Sequence, residues 1–274
     1  MSPPHLGVLA AVLGRDVSRS LSPVLHRAAA QDRGLSLEYR ALSCPNEEAF
    51  RAAVRALAEE GARGASVTIP FKASAFELAT DPTPLARALG AVNCLTFGDA
   101  PQIAGDNTDG PALVLELSKL PRAALARVQI LGAGGAARAA AWALAQCGAG
   151  EVVVSARRRE EAEAAAALAG GSGRALAPVE GASLVISTLP RDAALAAEAI
   201  DRWIAGAHAP HIFDLAYRTA GGATPLVEAA RARGWVAQDG LGMLVEQAAL
   251  AFGRWFGGEL PRTRQAMWAA LGPL

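Results

Sequence analysis

Lysine is scarce in this chain. Of its 26 basic side chains only two are lysine, Lys72 and Lys119, and the rest are arginine. Arginine is not deprotonated in proteins, so a chain that uses it wherever a positive charge suffices keeps lysine for work arginine cannot do, such as proton transfer. Lys72 closes the run Ser66-Val67-Thr68-Ile69-Pro70-Phe71-Lys72. That position lies just past a predicted strand end, where α/β sheets place their sites. Asparagine is almost as rare, with only Asn46, Asn93 and Asn107. Asn107 belongs to Gly105-Asp106-Asn107-Thr108-Asp109-Gly110, which gathers acidic and amide groups at another predicted strand end. A carboxylate there could hold and orient an ammonium while the ammonium donates to a developing alkoxide. A solvated surface lysine is the bland alternative.

Ser20-Leu21-Ser22-Pro23 precedes a predicted helix. Ser22 fits an N-cap and Pro23 the first helical position. Two hydroxyls at a helix N-terminus would also hold a carboxylate, and composition does not choose between capping and binding. Further on, the strand Val128–Leu131 runs into Gly132-Ala133-Gly134-Gly135-Ala136-Ala137-Arg138, which opens a helix. This is G-x-G-x-x-A in the strand–turn–helix context of a dinucleotide site. Gly132 permits the tight turn, Gly134 lets backbone approach a pyrophosphate, and Ala137 lets helix and strand pack closely. The next strand, Val152–Ser155, ends in Ala156-Arg157-Arg158-Arg159. An NAD site places a carboxylate there for the ribose hydroxyl, whereas cations suit a 2′-phosphate, so NADP is expected over NAD. Arginines that merely decorate a strand end are the competing reading.

The elements that must carry these runs alternate short β-branched segments with Ala-rich helical ones, which is the pattern of an α/β fold with a parallel sheet. In the first half the pattern predicts strands near 8–13, 37–42, 65–69 and 92–97, with helices near 23–33 and 47–60. A broken helical region follows Phe71, and a short hairpin passes through Gly98-Asp99-Ala100. A helix near 111–120 leads to Pro121, after which the alternation restarts. Strands are predicted at 128–131, 152–155, 184–187, 212–215 and about 235–237. The Ala/Gly-rich stretch 162–173 reads as a helix running into a loop, and the chain from Leu241 is helical. With 274 residues, 52% apolar and 19% charged, the chain can build real cores and is not of the disordered class. Balanced charge, 26 basic against 26 acidic, argues against a nucleic-acid binder. No apolar run reaches the roughly 18 residues of a membrane span, and the opening Met1-Ser2-Pro3-Pro4-His5 lacks a basic leader region. Three isolated cysteines, Cys44, Cys94 and Cys147, suit a reducing cytoplasm without disulfides. His208 and His211 have no partners at ligand spacing, so no metal is expected.

Taken together, these runs resemble the shikimate dehydrogenase family. The resemblance covers nearly the whole chain. It rests on Ser20-x-Ser22-Pro23 with His26, Val67-Thr68-x-Pro70-Phe71-Lys72, Gly90-Ala91-Val92-Asn93, the 105–110 run, Gly132-x-Gly134-Gly135-x-x-Arg138, and Asp239-Gly240-Leu241-Gly242-Met243-Leu244-x-x-Gln247-Ala248. It implies NADP-linked, reversible reduction of 3-dehydroshikimate to shikimate, with Lys72 and Asp109 as the catalytic pair. It implies that Ser20 and Ser22, helped by Tyr217, hold the substrate carboxylate. Ser66, Thr68, Asn93, Asp109 and Gln247 would meet the ring hydroxyls. The cofactor residues it implies are Gly132, Ala133, Gly134, Gly135, Ala136, Arg157, Arg158, Leu215, Gly240 and Met243. The implied architecture is two-domain α/β. A substrate domain takes residues 1–110 and 241–274, its C-terminal helices returning to it, and a Rossmann-type NADP domain takes 111–240. A small-molecule substrate is the expected partner, with neither nucleic acid nor membrane, in a monomer or homodimer.

The chain departs from the family pattern in places. Many members carry asparagine where Ser66 stands. Many carry Asn-Arg-Thr where this chain has Ala156-Arg157-Arg158, and a further arginine falls on Glu161. Ser187-Thr188-Leu189-Pro190 replaces a usual Asn-Ala-Thr. A relative that also uses quinate or NAD is the nearest alternative. A non-enzymatic dinucleotide sensor is expected to lack Lys72 or Asp109, and both are present. Another two-domain NADP enzyme, such as a methylenetetrahydrofolate dehydrogenase, does not explain the Ser-x-Ser-Pro run or the 239–247 segment.

Overall fold

A computed structural model describes residues 7–98, 102–189 and 211–272. The opening run 1–5, the hairpin residues Asp99 and Ala100, Pro190 and His208 lie outside the described residues. The chain divides into two compact units, one of residues 1–108 with 245–274 and one of residues 109–244.

In the first unit the elements run β1 (Val8–Gly14), α1 (Ser22–Asp32), β2 (Leu37–Ser43), α2 (Glu47–Glu59), β3 (Gly64–Val67), α3 (Lys72–Leu78), β4 (Asp81–Pro82), α4 (Pro84–Leu89), β5 (Cys94–Phe97) and β6 (Ile103–Asp106). They form one sheet in the order β2-β1-β3-β5-β6-β4. β1 is buried on both faces, which explains its unbroken apolar run. Leu9, Ala11 and Leu13 join one core with Phe50, Val54 and Leu57 of α2. The alternate residues Ala10 and Val12 join Tyr39 and Trp255 in another. Asn46, one of the three asparagines, caps α2 by accepting the Ala49 N–H at 2.8 Å. The expected parallel sheet is corrected here. β5 pairs antiparallel with β6, whose connection is the short one read as a hairpin and is too short for a parallel crossover, and it also pairs antiparallel with β3, which the alternating pattern does not foretell.

The second unit carries α5 (Asp109–Leu117), a 3₁₀ turn at Arg122–Leu125, β7 (Arg127–Leu131), α6 (Gly135–Gln146), β8 (Glu151–Ala156), α7 (Arg159–Ala167), β9 (Ser172–Ala175), β10 (Leu184–Ser187), β11 (His211–Asp214), α8 (Pro225–Arg231) and β12 (Ala237–Gln238). Its sheet is wholly parallel, in the order β12-β11-β10-β7-β8-β9. That is the doubly wound order of dinucleotide-binding sheets, with β7 at the centre. The sequence reading misses β9 and treats it as loop. Its residues are small and polar, and their strand state comes from pairing with β8, from Val153↔Ser172 to Ala156↔Ala175. A Cβ on Gly173 would lie 2.1 Å from the Glu163 nitrogen, so the strand also presses on the backbone of α7. The chain ends in α9 (Leu241–Phe256) and α10 (Leu260–Ala270).

α9 fixes one glycine of the first sheet. The Trp255 indole N–H donates to the Leu95 carbonyl at 2.9 Å. A Cβ on Gly64 would lie 2.1 Å from that indole nitrogen, so β3 carries glycine where the ring lies across it. Among the described residues, no helix is long and apolar enough to cross a membrane, and no group of three His, Cys, Asp or Glu side chains could hold a metal. The three cysteines are free thiols.

Candidate active site

The substrate-side residues of the first unit gather at the carboxyl ends of β1 and β3. The Thr68 N–H donates to the Leu13 carbonyl and the Arg15 N–H to the Ile69 carbonyl, which ties the two strand exits together. Ser20 and Ser22 follow β1, while Ser66 and Thr68 bracket the end of β3. Lys72, half-buried, is the first residue of α3. The Lys72 carbonyl accepts from the Val92 N–H at 2.8 Å, and the Asn93 carbonyl accepts from the Val67 N–H at 2.8 Å. These two bonds set Asn93 beside the β3 exit and the start of α3.

Asn93 is the hub. It is buried, and its Oδ1 accepts the Thr108 N–H at 2.7 Å. Its Nδ2 donates to Thr108 Oγ1 at 3.0 Å and lies 3.5 Å from Gln247 Oε1. A neutral amide suits this place, because it supplies both donors and an acceptor without the cost of a buried charge. Asp106 anchors the same run from below. It accepts from Thr83 Oγ1 at 2.9 Å and from the Asn107 N–H at 2.8 Å, and it pairs with Arg254 at 2.7 Å. Asn107 donates to the Ala91 carbonyl at 3.0 Å, so its work is to pin the loop rather than to face a ligand. Asp109, buried, follows Thr108 directly in the chain and opens α5.

The N-cap expected of Ser22 is corrected. Leu21 already has helical angles (φ −79°, ψ −10°), and Ser22 is the first residue of α1, with no side chain capping it. The Ser20 hydroxyl instead accepts the Ser22 N–H at 3.2 Å. Ser22 is 5% exposed. The hydroxyl that serves the start of α1 is therefore that of Ser20, and the Ser22 side chain is not its cap.

In the second unit the Gly-rich turn has the shape a pyrophosphate needs. Gly132 has φ +104°, and a Cβ there would lie 2.4 Å from Thr188 Oγ1. Only glycine satisfies both the angle and the space. Gly134 precedes α6, no side chain caps that helix, and a Cβ on Gly134 would point into open space. Ala133 is nearly buried and Ala137 wholly so, while Gly135 and Ala136 form the first turn of α6. The uncapped N–H groups of a 12-residue helix therefore face room for an anion. Arg157 and Arg158 lie exposed beyond β8. Arg158 pairs with Glu161 at 2.6 Å, so the family position that lost an arginine now partly neutralises a neighbouring one. These residues fit a phosphorylated dinucleotide.

Two of the remaining cofactor candidates, Leu215 and Gly240, meet at the β11 exit. The Gly240 N–H donates to the Ala216 carbonyl at 2.9 Å, and a Cβ on Gly240 would lie 2.1 Å from the Leu215 carbonyl. Asp214 holds that corner, accepting the Thr224 hydroxyl at 2.7 Å and the Ala216 N–H at 3.2 Å. Burial pushes its carboxyl up, against the pull of these donors. Leu215 and Tyr217 are half-buried and Met243 is buried. Tyr217 is counted with the second unit, apart in sequence from the other substrate candidates. Sequence reasoning missed Asp214, Arg254 and Tyr39. The clue for Tyr39 was available, since it is one of only two tyrosines and stands between charged Glu38 and Arg40 in β2.

Comparison with known proteins agrees with this arrangement. The family model of the shikimate dehydrogenase substrate-binding domain matches residues 12–95, and that of the shikimate 5′-dehydrogenase C-terminal domain matches residues 240–271. Shikimate dehydrogenase (NADP⁺) of Methylobacterium radiotolerans is 39% identical over 281 aligned positions, which cover 92% of each chain. Among solved structures, shikimate dehydrogenase of Mycobacterium tuberculosis superposes with a TM-score of 0.82 at 29% identity, covering 97% of this chain and all of that one. Shikimate 5-dehydrogenase of Thermus thermophilus, solved in complex with NADP(H) and shikimate, gives a TM-score of 0.78 at 31% identity, covering 96% and 99%. With a relative this similar along nine-tenths of both chains, the chain belongs to the shikimate dehydrogenase family.

Proposed function

We propose that this chain catalyses the reversible, NADPH-dependent reduction of 3-dehydroshikimate to shikimate. What supports the reading is the set of backbone bonds that holds Thr68, Lys72 and Asn93 together at the carboxyl ends of β1 and β3, in a chain so similar to curated shikimate dehydrogenases. When bound, NADPH supplies the hydride. Gly132–Ala136 and the uncapped start of α6 hold the pyrophosphate, Arg157 and Arg158 hold the 2′-phosphate, and Leu215, Gly240 and Met243 border the rest of the cofactor. The Ser20 and Ser22 hydroxyls, with Tyr217, bind the substrate carboxylate. Thr68, Asn93 and Gln247 orient the ring through its hydroxyls. The Lys72 ammonium hydrogen-bonds the ring carbonyl oxygen, gives it a proton as charge develops, and takes that proton back in the oxidation direction. The Asp109 carboxylate holds the ammonium in place. Free thiols suit a reducing cytoplasm as the compartment.

The direct test is oxidation of shikimate and of quinate by the purified protein, each with NADP⁺ and with NAD⁺. Fast turnover is expected with NADP⁺ and shikimate. A folded protein that binds NADP⁺ but turns over none of the four combinations would sink the reading. Ser22→Ala should raise the KM for shikimate about tenfold with kcat little changed, the loss expected for one hydrogen bond to a charged group. An unchanged KM would return Ser22 to a purely structural role.

A further inference from the structure

The first unit holds a buried hydroxyl pair, one member of which, Tyr39, has no part in the reaction scheme above. Tyr39 is fully buried on β2, and its phenolic O–H donates to Ser66 Oγ at 3.0 Å. Ser66 replaces the asparagine common in the family, so a long amide is exchanged for a short hydroxyl. A serine hydroxyl rotates freely unless something fixes it, and fixing it decides whether it donates or accepts.

The surroundings hold Tyr39 in place. The His26 ring stacks on it, with centroids 4.4 Å apart and planes 10° from parallel, and Trp255 packs at 6.3 Å. Both His26 nitrogens are buried without a hydrogen-bond partner. Desolvation drives the imidazole down to about 3, so it stays neutral and acts as a flat plate. Burial likewise pushes the Tyr39 phenol up, which keeps its proton on oxygen and keeps it a donor. The hydroxyl pair also has a direction. Gly64 and Ser66 share the face of β3 that Trp255 covers, and Gln247, Ala251 and Trp255 form one stripe of α9 at i, i+4, i+8. Trp255 sits over Gly64, and the stripe runs back to Gln247, which reaches Asn93. Ser66, two residues beyond Gly64, pairs in register with Cys94, next to Asn93.

We propose that Tyr39 is a positioning residue for substrate recognition: by donating to Ser66 Oγ it commits the Ser66 hydroxyl to donate its own proton to a ring hydroxyl of the polyhydroxylated cyclic acid. This deepens the functional reading above and rests on Ser66 facing that substrate. The neutral His26 plate and Trp255 keep the phenol aimed, and the pair restores a directed donor where the family asparagine is missing.

The test is a double-mutant cycle in shikimate oxidation at saturating NADP⁺. Tyr39→Phe keeps the ring stack and removes only the hydroxyl. It should raise the KM for shikimate three- to tenfold, with kcat within twofold and the KM for NADP⁺ unmoved. Ser66→Ala should raise it at least as much, and the double variant should be no worse than Ser66→Ala alone. If Ser66→Ala raises KM and Tyr39→Phe does not, or if the two effects add, Tyr39 does not act through Ser66 and the proposal fails while the substrate reading stands. If Ser66→Ala leaves KM unchanged, Ser66 does not touch substrate and the proposal falls, whereas the functional reading falls only if the native protein fails to turn over shikimate. Should Tyr39→Phe not fold, the native chain can be labelled with 3-fluorotyrosine, since it has only Tyr39 and Tyr217 to resolve. Shikimate should then shift the Tyr39 fluorine signal in the native protein and shift it less in Ser66→Ala. Equal shifts, or none, would overturn the proposal.

Discussion

Lys72→Met lowers kcat for shikimate oxidation roughly a hundred- to ten-thousandfold, the range expected when a positioned proton donor is removed. Methionine keeps much of the length and apolar stem, so the start of α3 and the Lys72 carbonyl bond to Val92 survive. Substrate affinity should change far less, because the proposed contacts to the carboxylate and ring hydroxyls come from other side chains. Loss of kcat with little change in KM marks an interaction made chiefly in the transition state. Lys72→Arg separates charge from proton transfer. It keeps a cation at the site but cannot release its proton at neutral pH, so it should fail nearly as badly as methionine. Single-turnover rates beside equilibrium shikimate binding are the measurements to make. A Lys72→Met enzyme with near-native kcat would remove Lys72 from proton transfer. Asp109→Asn is the partner experiment. If the carboxylate holds the ammonium, its loss should reduce kcat as well, with a shifted pH–rate profile that a merely structural change would not produce.

Some of this site was legible in residue types alone. A chain with two lysines and three asparagines advertises the few positions where those side chains are needed, and Lys72 and Asn93 do fall at one sheet edge. The second half was legible because its signals are local: a glycine-rich turn between strand and helix needs no tertiary information to be read. The failures share a cause. Strand β9 has no β-branched run, and only its pairing with β8 makes it a strand. The antiparallel turn from β5 to β6 was legible as a hairpin, but the antiparallel pairing of β5 with β3 was not, because direction there is set by how a long connection returns and not by residue type. Tyr39 and Asp214 act through partners far away in sequence or through loop backbone, so their chemistry shows only in three dimensions. Ser22 shows the reverse case: its type suited a cap, and the local backbone assigns the helix start one residue earlier.

Cofactor choice gives the second large effect, and it turns on the exposed end of β8. Replacing both Arg157 and Arg158 by alanine should raise the KM for NADP⁺ about a hundredfold while the KM for NAD⁺ changes little, because only NADP⁺ carries the 2′-phosphate proposed to meet those cations. Each charge-assisted hydrogen bond is worth about 1.5–3 kcal/mol, and solvent exposure holds the pair near the low end. Of the two, Arg157→Ala should cost more. Arg158 already pairs with Glu161 at 2.6 Å, and a phosphate must compete with that carboxylate for it. Glu161→Gln removes the competitor and a like charge from the phosphate's surroundings, so it should lower the KM for NADP⁺ by about two- to fivefold and leave NAD⁺ unaffected. Screening supplies an internal control: raising ionic strength should weaken NADP⁺ binding more than NAD⁺ binding in the native enzyme, and the difference should vanish in the double-alanine variant. If the arginine substitutions weaken both dinucleotides equally, these side chains support the fold of the strand end and do not read the phosphate. If Glu161→Gln leaves NADP⁺ untouched while the alanines act as expected, the Arg158–Glu161 pair opens freely on binding, and the arginine lost from this position in the chain has been replaced at no cost to selectivity.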